Sequence, residues 1–198
     1  IHPISITKTT LSLMPYIETI AYEDSTGELR QIYDSLIKAR GKLAAVHQIQ
    51  SLNPAALLAH MDLYKVVMFA RSPLKRYQRE MLAVIVSAAN QCPYCIAHHT
   101  EALLFYWKDA DRAARLLSDR ENAGLDAADL ALCQYAEDLS LRPGESSNRN
   151  IEQLRAQGWD DRAILDASQI VAYFNFVNRL VLGLVLAPEG EEVRGYRY

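Results

Sequence analysis

The sequence predicts an all-α protein, and two observations support that fold class. Apolar residues recur at three- and four-residue spacing along most of the chain, which is the period of an amphipathic helix. Period-two alternation with β-branched residues is absent after the first twenty positions, so an extended sheet is not expected. The 198 residues are enough for one sizeable core. We therefore expect a single helical domain over residues 1–198, with residues 1–20 as an irregular N-terminal segment.

The first predicted helices differ in how much of their surface is apolar. Residues 27–38 have apolar side chains on one face, as in an amphipathic helix. The next helix begins at Asn53 and Pro54, a capping residue followed by the proline that suits a first helical turn, and continues to about Ala70. Residues 77–90 are apolar on nearly all sides, which predicts a buried helix.

The remaining helices follow the same start signals. Pro93 is predicted to be the first residue of a helix that continues through Tyr106, with Cys92 as its exposed cap. A segment rich in Pro, Gly, Ser and Asn, residues 142–148, is typical of a loop. Each later helix is introduced by Asp or Asn, and these helices span residues 127–141, 150–157 and 160–183.

A weak internal similarity links two parts of the chain. Residues 74–77 lead into one long apolar helix, and residues 159–162 lead into another. Such self-similarity is compatible with an internally duplicated helical unit, although one weak match does not establish it. The first copy falls within a central region of about residues 54–107 that surrounds two closely spaced cysteines.

Composition excludes several classes of function. The formal net charge of -3 provides no basic surface for nucleic acid. The longest apolar stretches, residues 81–89 and 180–187, are about half the ~20 residues needed to cross a bilayer, so no membrane span is predicted. The first twenty residues lack the basic start and apolar block of a secretory signal. Three cysteines are too few for a disulfide scaffold, and we expect a cytoplasmic protein with a reactive dithiol.

Cys92 and Cys95 carry the strongest chemical signal. Two thiols separated by two residues at a helix start can close a disulfide with little backbone movement, and the N–H groups of the first turn lower a thiol pKa. His99 lies four residues after Cys95 on the same helical face, where its imidazole can take or return the thiol proton. His98 points about a third of a turn away.

Glu80 is a candidate partner for His99 although it lies on the preceding helix. If the two helices pack antiparallel about the break near residues 90–92, the axial offset between Glu80 and His99 is roughly 4 to 5 Å. The carboxylate and the imidazole would then share a proton directly or through water. A carboxylate in this position fixes the histidine tautomer, and the pair is suited to relay protons to a thiol.

At these residues the chain resembles the alkylhydroperoxidase AhpD-like family, also called the carboxymuconolactone decarboxylase-like superfamily. The family pattern is a glutamate, eleven residues, CxxC, three residues and a histidine, and Glu80, Cys92, Cys95 and His99 match it at every spacing. Longer similarity to the peroxidase-related subgroup of this family extends over residues 51–54, 79–81, 87–90 and 173–179.

The resemblance implies an all-helical fold, assembly into a homo-oligomer (dimer, trimer or hexamer), and reduction of hydroperoxides through a disulfide cycle. By the same resemblance Cys95 is the thiol that attacks the peroxide, and Cys92 is the resolving thiol that exchanges with an external dithiol or a thiol-protein reductant. His99 is the base and Glu80 its relay partner. The chain departs from the family at Tyr94, because members with demonstrated peroxidase activity tend to carry histidine between the cysteines.

No dissociable cofactor is expected. The sequence contains no Gly-rich phosphate loop and no flavin fingerprint, and Cys95 is followed by Ile96 rather than by the histidine of a haem-attachment motif. The reducing electrons would therefore come from outside the protein.

Other functions are consistent with the same residues. The pair could exchange disulfides with another thiol protein without peroxide turnover. Zinc bound by Cys92, Cys95, His98 and His99 would instead make a structural helical oligomer, although no distant second pair of ligands is present. A decarboxylase role is a third alternative, but relatives that act on lactone acids generally lack the CxxC pair.

Several further residues receive structural interpretations. Cys133 lies on the apolar face of its helix and is predicted to be a core residue. His47 and His60 have no partner at a ligand or catalytic spacing and are interpreted as ordinary helix or loop residues. An aromatic stripe is typical of a core or subunit interface: Tyr173, Phe174 and Phe176. The polar residues beside it either cap neighbouring helices or line the site: Asn175, Asn178 and Arg179.

Overall fold

The computed structural model describes residues 15–145, 148–184 and 190–197. In these residues nine α-helices are joined by turns and short 3-10 segments, no strand occurs, and the all-α prediction is confirmed. The helices are α1 (Gly27–Arg40), α2 (Ala45–Gln48), α3 (Pro54–Phe69), α4 (Arg76–Ala89), α5 (Pro93–Trp107), α6 (Ala110–Ser118), α7 (Ala127–Leu141), α8 (Asn148–Ala156) and α9 (Asp161–Leu184). The 3-10 segments are Arg120–Asn122, Pro143–Glu145 and Gly190–Val193.

Helix α4 lies at the centre of the main core. Every residue from Gln78 to Ser87 is buried, because α5, α7 and α9 each pack against this helix. The fully apolar surface that predicts a buried helix is therefore covered on several sides. Each completely buried side chain of this kind, such as Met81 or Leu82, contributes about 1.5–3 kcal/mol relative to an exposed one.

A tight connection between α4 and α5 sets the position of the two cysteines. Gln91 adopts a left-handed backbone conformation with φ of 54°, which reverses the chain direction immediately after α4. The Cys92 N–H then donates to the Ser87 carbonyl oxygen at 2.9 Å, and Pro93 begins α5 as predicted. Helix α5 consequently runs back along α4, which is the arrangement that the spacing of Glu80 and His99 required.

A second, smaller cluster joins α1 to α3. Leu29, Tyr33 and Leu36 of α1 pack with Leu57 and Met61 of α3, and all five are buried. Helix α3 also contacts α4 and α9, so it connects this cluster to the main core. The same helix contributes residues to the candidate site.

The longest helix is α9, with 24 residues. It packs along α4, which is notable because these are the two helices that follow the similar motifs at residues 74–77 and 159–162. Across the described ranges, neither α9 nor any shorter helix combines the length and the apolar character that crossing a membrane requires.

Two helices were not predicted from the sequence. Helix α2 has only four residues, which is too short for a hydrophobic period to be visible. Helix α6 begins after Asp109, whose side chain accepts a hydrogen bond from the Arg112 N–H at 2.8 Å, so a capping signal was present. Most of the irregular segment predicted for residues 1–20 lies outside the described residues, and residues 15–20 are non-helical.

Candidate active site

The two cysteines of the CxxC motif lie at the start of α5, where Cys92 is the N-cap residue and Cys95 lies in the first turn. Both thiols are free. Cys92 is 0% exposed and Cys95 is 3% exposed. The expectation that Cys92 is an exposed cap is therefore wrong, because the turn after α4 folds this residue against the core.

The thiols are hydrogen-bonded to each other, and their pKa values are shifted in opposite directions. Hydrogen bonds from the side chain and from the backbone N–H of Cys95 lower the pKa of Cys92, although burial acts in the opposite direction. The pKa of Cys95 is raised by its hydrogen bond to Cys92, by burial and by the charge on Cys92. Cys92, at the N-terminus of α5, is therefore the thiol of the pair that ionises more readily.

Asn178 of α9 is the polar residue that contacts Cys95. Its side chain is fully buried and forms a hydrogen bond with the Cys95 side chain that favours the thiolate and lowers the pKa of that thiol. Asn178 is held in place by two further hydrogen bonds, to Ser87 Oγ at 3.4 Å and from Asn90 Nδ2 at 3.3 Å. The structure thus decides between the two alternatives for Asn178, since the residue lines the thiol site.

Glu80 contacts His99 directly. The distance between His99 Nδ1 and Glu80 Oε2 is 2.9 Å, and the Glu80 side chain is 1% exposed. Because a carboxylate accepts the proton of Nδ1–H, the basic lone pair of His99 lies on Nε2. The ring of Phe174 packs against His99 at 4.5 Å between centroids and limits its rotation.

Arg76 completes this group and was not singled out from the sequence. Its Nη2 lies 3.0 Å from Glu80 Oε1, and its guanidinium also donates to the Met68 carbonyl oxygen. A buried carboxylate needs such a positive partner, because an uncompensated charge in the interior is strongly destabilising. The four-residue spacing of Arg76 and Glu80 on one helix was the available sequence signal.

A pocket of about 80 Å³ reaches Cys95 but not Cys92. His99 also lines this pocket, so a molecule that enters it meets the thiol and the candidate base together. Histidine and tyrosine side chains form much of the remaining wall: His47, His60, Tyr64, Tyr94, Tyr173 and Tyr196.

His47 and His60 lie on α2 and α3, in agreement with their interpretation as helix residues, and both also line the pocket. Burial lowers the pKa of His47 to about 3 and that of His60 to about 4, which keeps both rings neutral near pH 7. His60 Nε2 accepts from the Tyr173 hydroxyl at 2.6 Å, and its Nδ1–H donates to Gln50 Oε1 at 2.9 Å. No sequence spacing could have indicated this, because the two histidines come from α2 and α3, far along the chain from the CxxC motif.

His98 and Glu192 meet at the edge of the pocket. His98 Nε2 lies 2.6 Å from Glu192 Oε2. Burial acts to raise the pKa of Glu192, but hydrogen bonds and the nearby His98 outweigh it and lower that pKa to about 2. Glu192 is therefore ionised at neutral pH. Glu192 was not predicted from the sequence, because it lies far along the chain from the motif and belongs to no pattern with it.

The remaining predictions concern Cys133 and a metal site. Cys133 is fully buried in the core as predicted, and burial raises its pKa to about 12, so it is a poor nucleophile. In the part of the chain that the structure describes, no three His, Cys, Asp or Glu side chains are arranged to hold a metal ion. The zinc alternative therefore lacks a ligand set among these residues.

The motif residues of the candidate site lie within a region of the chain that matches a known family. Residues 54–138 match the model of the carboxymuconolactone decarboxylase family. This region contains α3, α4 and α5 and therefore Glu80, both cysteines of the motif and His99. No curated protein shows a significant match to the sequence.

Several solved structures share the whole fold. An uncharacterised peroxidase-related protein from a Silicibacter species is 25% identical, with a TM-score of 0.83 over 94% of this chain and 98% of that chain. A peroxidase-related protein with an alkylhydroperoxidase AhpD core from Ralstonia eutropha is 23% identical, with a TM-score of 0.82 over 90% and 94% of the two chains. The debrominase Bmp8, in complex with 2,3,4-tribromopyrrole, is 17% identical, with a TM-score of 0.77 over 91% and 95%.

Proposed function

Because the chain belongs to the alkylhydroperoxidase AhpD-like, carboxymuconolactone decarboxylase-like superfamily, we propose that it is a thiol-dependent peroxidase that reduces hydroperoxides through a Cys92–Cys95 disulfide cycle. One observation carries this proposal. The pocket that reaches Cys95 is also lined by His99, while Cys92 does not line the pocket and is hydrogen-bonded to Cys95.

The first step is the attack of Cys95 on the peroxide. His99 Nε2 takes the Cys95 proton, and the thiolate sulfur attacks the terminal oxygen of the hydroperoxide. The O–O bond breaks, the alkoxide leaves with the proton that His99 returns, and Cys95 becomes a sulfenic acid. Asn178 stabilises the Cys95 thiolate before the attack, since its hydrogen bond favours that charged form.

The second step closes the disulfide. The Cys92 thiolate attacks the Cys95 sulfur, the S–O bond of the sulfenic acid breaks, and the leaving oxygen takes up the proton that Cys92 lost and departs as water. The lowered pKa of Cys92 suits this role, because a thiolate is the nucleophile in disulfide formation. An external dithiol then reduces the disulfide, so that one dithiol and one hydroperoxide yield a disulfide, an alcohol and water.

Glu80 acts through His99 rather than on the substrate. Its carboxylate orients the imidazole and stabilises the positive charge that His99 gains when it takes the proton. Arg76 holds Glu80 from the opposite side, so the carboxylate cannot turn away from the histidine. Glu80 is accordingly a positioning residue in this mechanism.

The test is a thiol count on fully reduced protein after one equivalent of hydrogen peroxide. We expect the free thiols to fall from three to one, with a Cys92–Cys95 disulfide identified by peptide mass spectrometry. Cys95→Ser should lose no thiol, and Cys92→Ser should stop at a sulfenic acid that dimedone traps. Cys133→Ser is the matched control and should still lose its two motif thiols. An unchanged thiol count in the wild-type protein under excess peroxide would refute the proposal.

A second candidate is thiol–disulfide exchange without significant peroxide turnover. The lowered pKa of Cys92 favours it, because a thiol that ionises readily at a helix N-terminus is suited to attack disulfides. The two candidates are separated by comparing dithiol-driven consumption of peroxide with dithiol-driven reduction of a small disulfide. Fast disulfide reduction with negligible peroxide consumption would favour the second.

A further inference from the structure

Glu192 joins the C-terminal residues 190–197 to the edge of the pocket. Its Oε1 accepts hydrogen bonds from Tyr196 OH at 2.8 Å, from the Ala45 N–H at 3.1 Å and from Tyr94 OH at 3.2 Å, while Oε2 contacts His98. These partners come from α5, from the start of α2 and from the C-terminal residues themselves. One carboxylate therefore ties three separate parts of the chain together.

The C-terminal residues also form part of the pocket wall. Tyr196 is 9% exposed, lines the pocket and packs against the His98 ring at 5.4 Å between centroids. The Arg197 N–H donates to the Arg40 carbonyl oxygen at 3.0 Å, which anchors the segment to the end of α1. Arg40 lines the pocket as well, so the segment covers the pocket along one side.

The pocket enclosed in this way is small. Its volume of about 80 Å³ is well below the roughly 150 Å³ of a cavity that holds benzene. Hydrogen peroxide or a short alkyl hydroperoxide fits this space, whereas a hydroperoxide with an aromatic ring requires the wall to move. The rings of Phe174 and Tyr173 belong to the long helix α9, whereas the C-terminal side of the wall is a short segment held by the contacts of Glu192 and Arg197.

We propose that Glu192 is a specificity-determining residue that holds residues 190–197 against the pocket and restricts the substrate to hydrogen peroxide and short alkyl hydroperoxides. This inference rests on the proposed peroxidase function. It concerns the access to Cys95 rather than the chemistry at the thiol.

The contacts explain why Glu192 has this effect. Removal of the carboxylate takes the acceptor from three donors at once: the Tyr94 hydroxyl, the Tyr196 hydroxyl and the Ala45 N–H. A buried donor without an acceptor is costly, so each loss favours a conformation in which water can accept the hydrogen bond instead. The segment would then keep its backbone bond from Arg197 and the packing of Tyr196 on the His98 ring, but it would lose its hydrogen bonds to α5 and to the start of α2. Glu192 is ionised at neutral pH, so these are charge-assisted bonds.

Two substrates of different size test the proposal directly. We expect the wild-type protein to have a much higher kcat/KM for hydrogen peroxide than for cumene hydroperoxide, which carries a phenyl ring. In Glu192→Ala the ratio of the two kcat/KM values should fall by about tenfold or more, because kcat/KM for cumene hydroperoxide rises. Glu192→Gln should lie between the two, because it retains an acceptor but loses the charge. Glu152→Ala changes an exposed glutamate of α8 and serves as the matched control.

A second measurement does not depend on peroxide turnover. Cys95 is alkylated with iodoacetamide or with the bulkier N-phenylmaleimide, and the modified peptide is quantified by mass spectrometry. Glu192→Ala should accelerate the bulky reagent selectively at Cys95. If this acceleration occurs in a protein without peroxidase activity, the proposed function fails and the role of Glu192 in access stands. If the ratio of the two alkylation rates equals that of the wild type, the role of Glu192 is refuted whatever the peroxidase result.

Tyr196→Phe keeps the test decisive if Glu192→Ala does not fold. It removes one hydrogen bond to Glu192 and leaves the ring in the pocket wall, so folding should be preserved. The rate of Cys95 alkylation by N-phenylmaleimide should rise less than in Glu192→Ala. A helical circular dichroism spectrum equal to that of the wild type confirms that each variant is folded. Wild-type ratios in both Tyr196→Phe and Glu192→Gln would overturn the proposal.

Discussion

Replacing Glu80 by alanine should destabilise the fold by about 3–5 kcal/mol, because the side chain accepts hydrogen bonds from two charged or chargeable groups inside the protein. Glu80 Oε1 lies 3.0 Å from Arg76 and Oε2 lies 2.9 Å from His99. A charge-assisted bond contributes about 1.5–3 kcal/mol, and water cannot replace it here because Glu80 is 1% exposed. Glu80→Gln should cost less, about 1–3 kcal/mol, since it retains the shape and one acceptor oxygen.

The assay is urea denaturation followed by circular dichroism, combined with the rate of thiol loss under peroxide. Asp129→Asn is the matched control, because Asp129 is also a buried carboxylate and accepts from Gln78 at 2.6 Å and from Tyr77 at 3.0 Å, away from the thiols. Both Asp129→Asn and Glu80→Gln should have a lower free energy of unfolding than the wild type. Only Glu80→Gln should slow thiol oxidation, by about 100-fold if His99 depends on the carboxylate.

Two results would contradict this reasoning. A loss of less than about 1 kcal/mol in Glu80→Ala would mean that Arg76 and His99 find other partners or solvent. Equal rates of thiol oxidation in Glu80→Gln and Asp129→Asn would show that Glu80 stabilises the fold without positioning the base.

Two further predictions follow from the pKa shifts. Asn178→Ala removes the hydrogen bond that favours the Cys95 thiolate, so alkylation of Cys95 at pH 8 should slow by about tenfold, while Asn175→Ala, which does not touch the thiols, should leave the rate unchanged. The pKa of Glu192 is lowered from an ordinary value of 4.5 to about 2, so its stabilising contribution is complete above about pH 4.5 and is lost as the pH falls toward 2. Protection of the Ala45 and Arg197 amides from hydrogen exchange should therefore fall as Glu192 becomes protonated. In Glu192→Gln that pH dependence should disappear, and its persistence there would assign it to another group.

The relation between Glu80 and His99 could be predicted from the sequence because local structure determines it. A helix that is apolar on nearly all sides, a break near Asn90 and Pro93 predict two successive helices, and the left-handed conformation of Gln91 makes them antiparallel. Once the helices are antiparallel, the rise of 1.5 Å per residue sets which residues lie side by side. The burial of Cys133 could be predicted for the same kind of reason, since it lies on the apolar face of a single helix.

The pocket around Cys95 was decided by tertiary structure. His47, His60, Tyr173 and Tyr196 belong to segments separated from the motif by many residues, and the packing of α2, α3, α9 and the C-terminal residues brings them together. Helical periodicity describes which face of a helix is buried but not which partner covers it. The burial of Cys92 has the same origin, because a residue in a capping position is exposed or covered according to what the neighbouring helices place over it. Local sequence patterns therefore predict the helices and the spacing of the motif residues, whereas the packing of distant helices sets which of the two thiols lines the pocket.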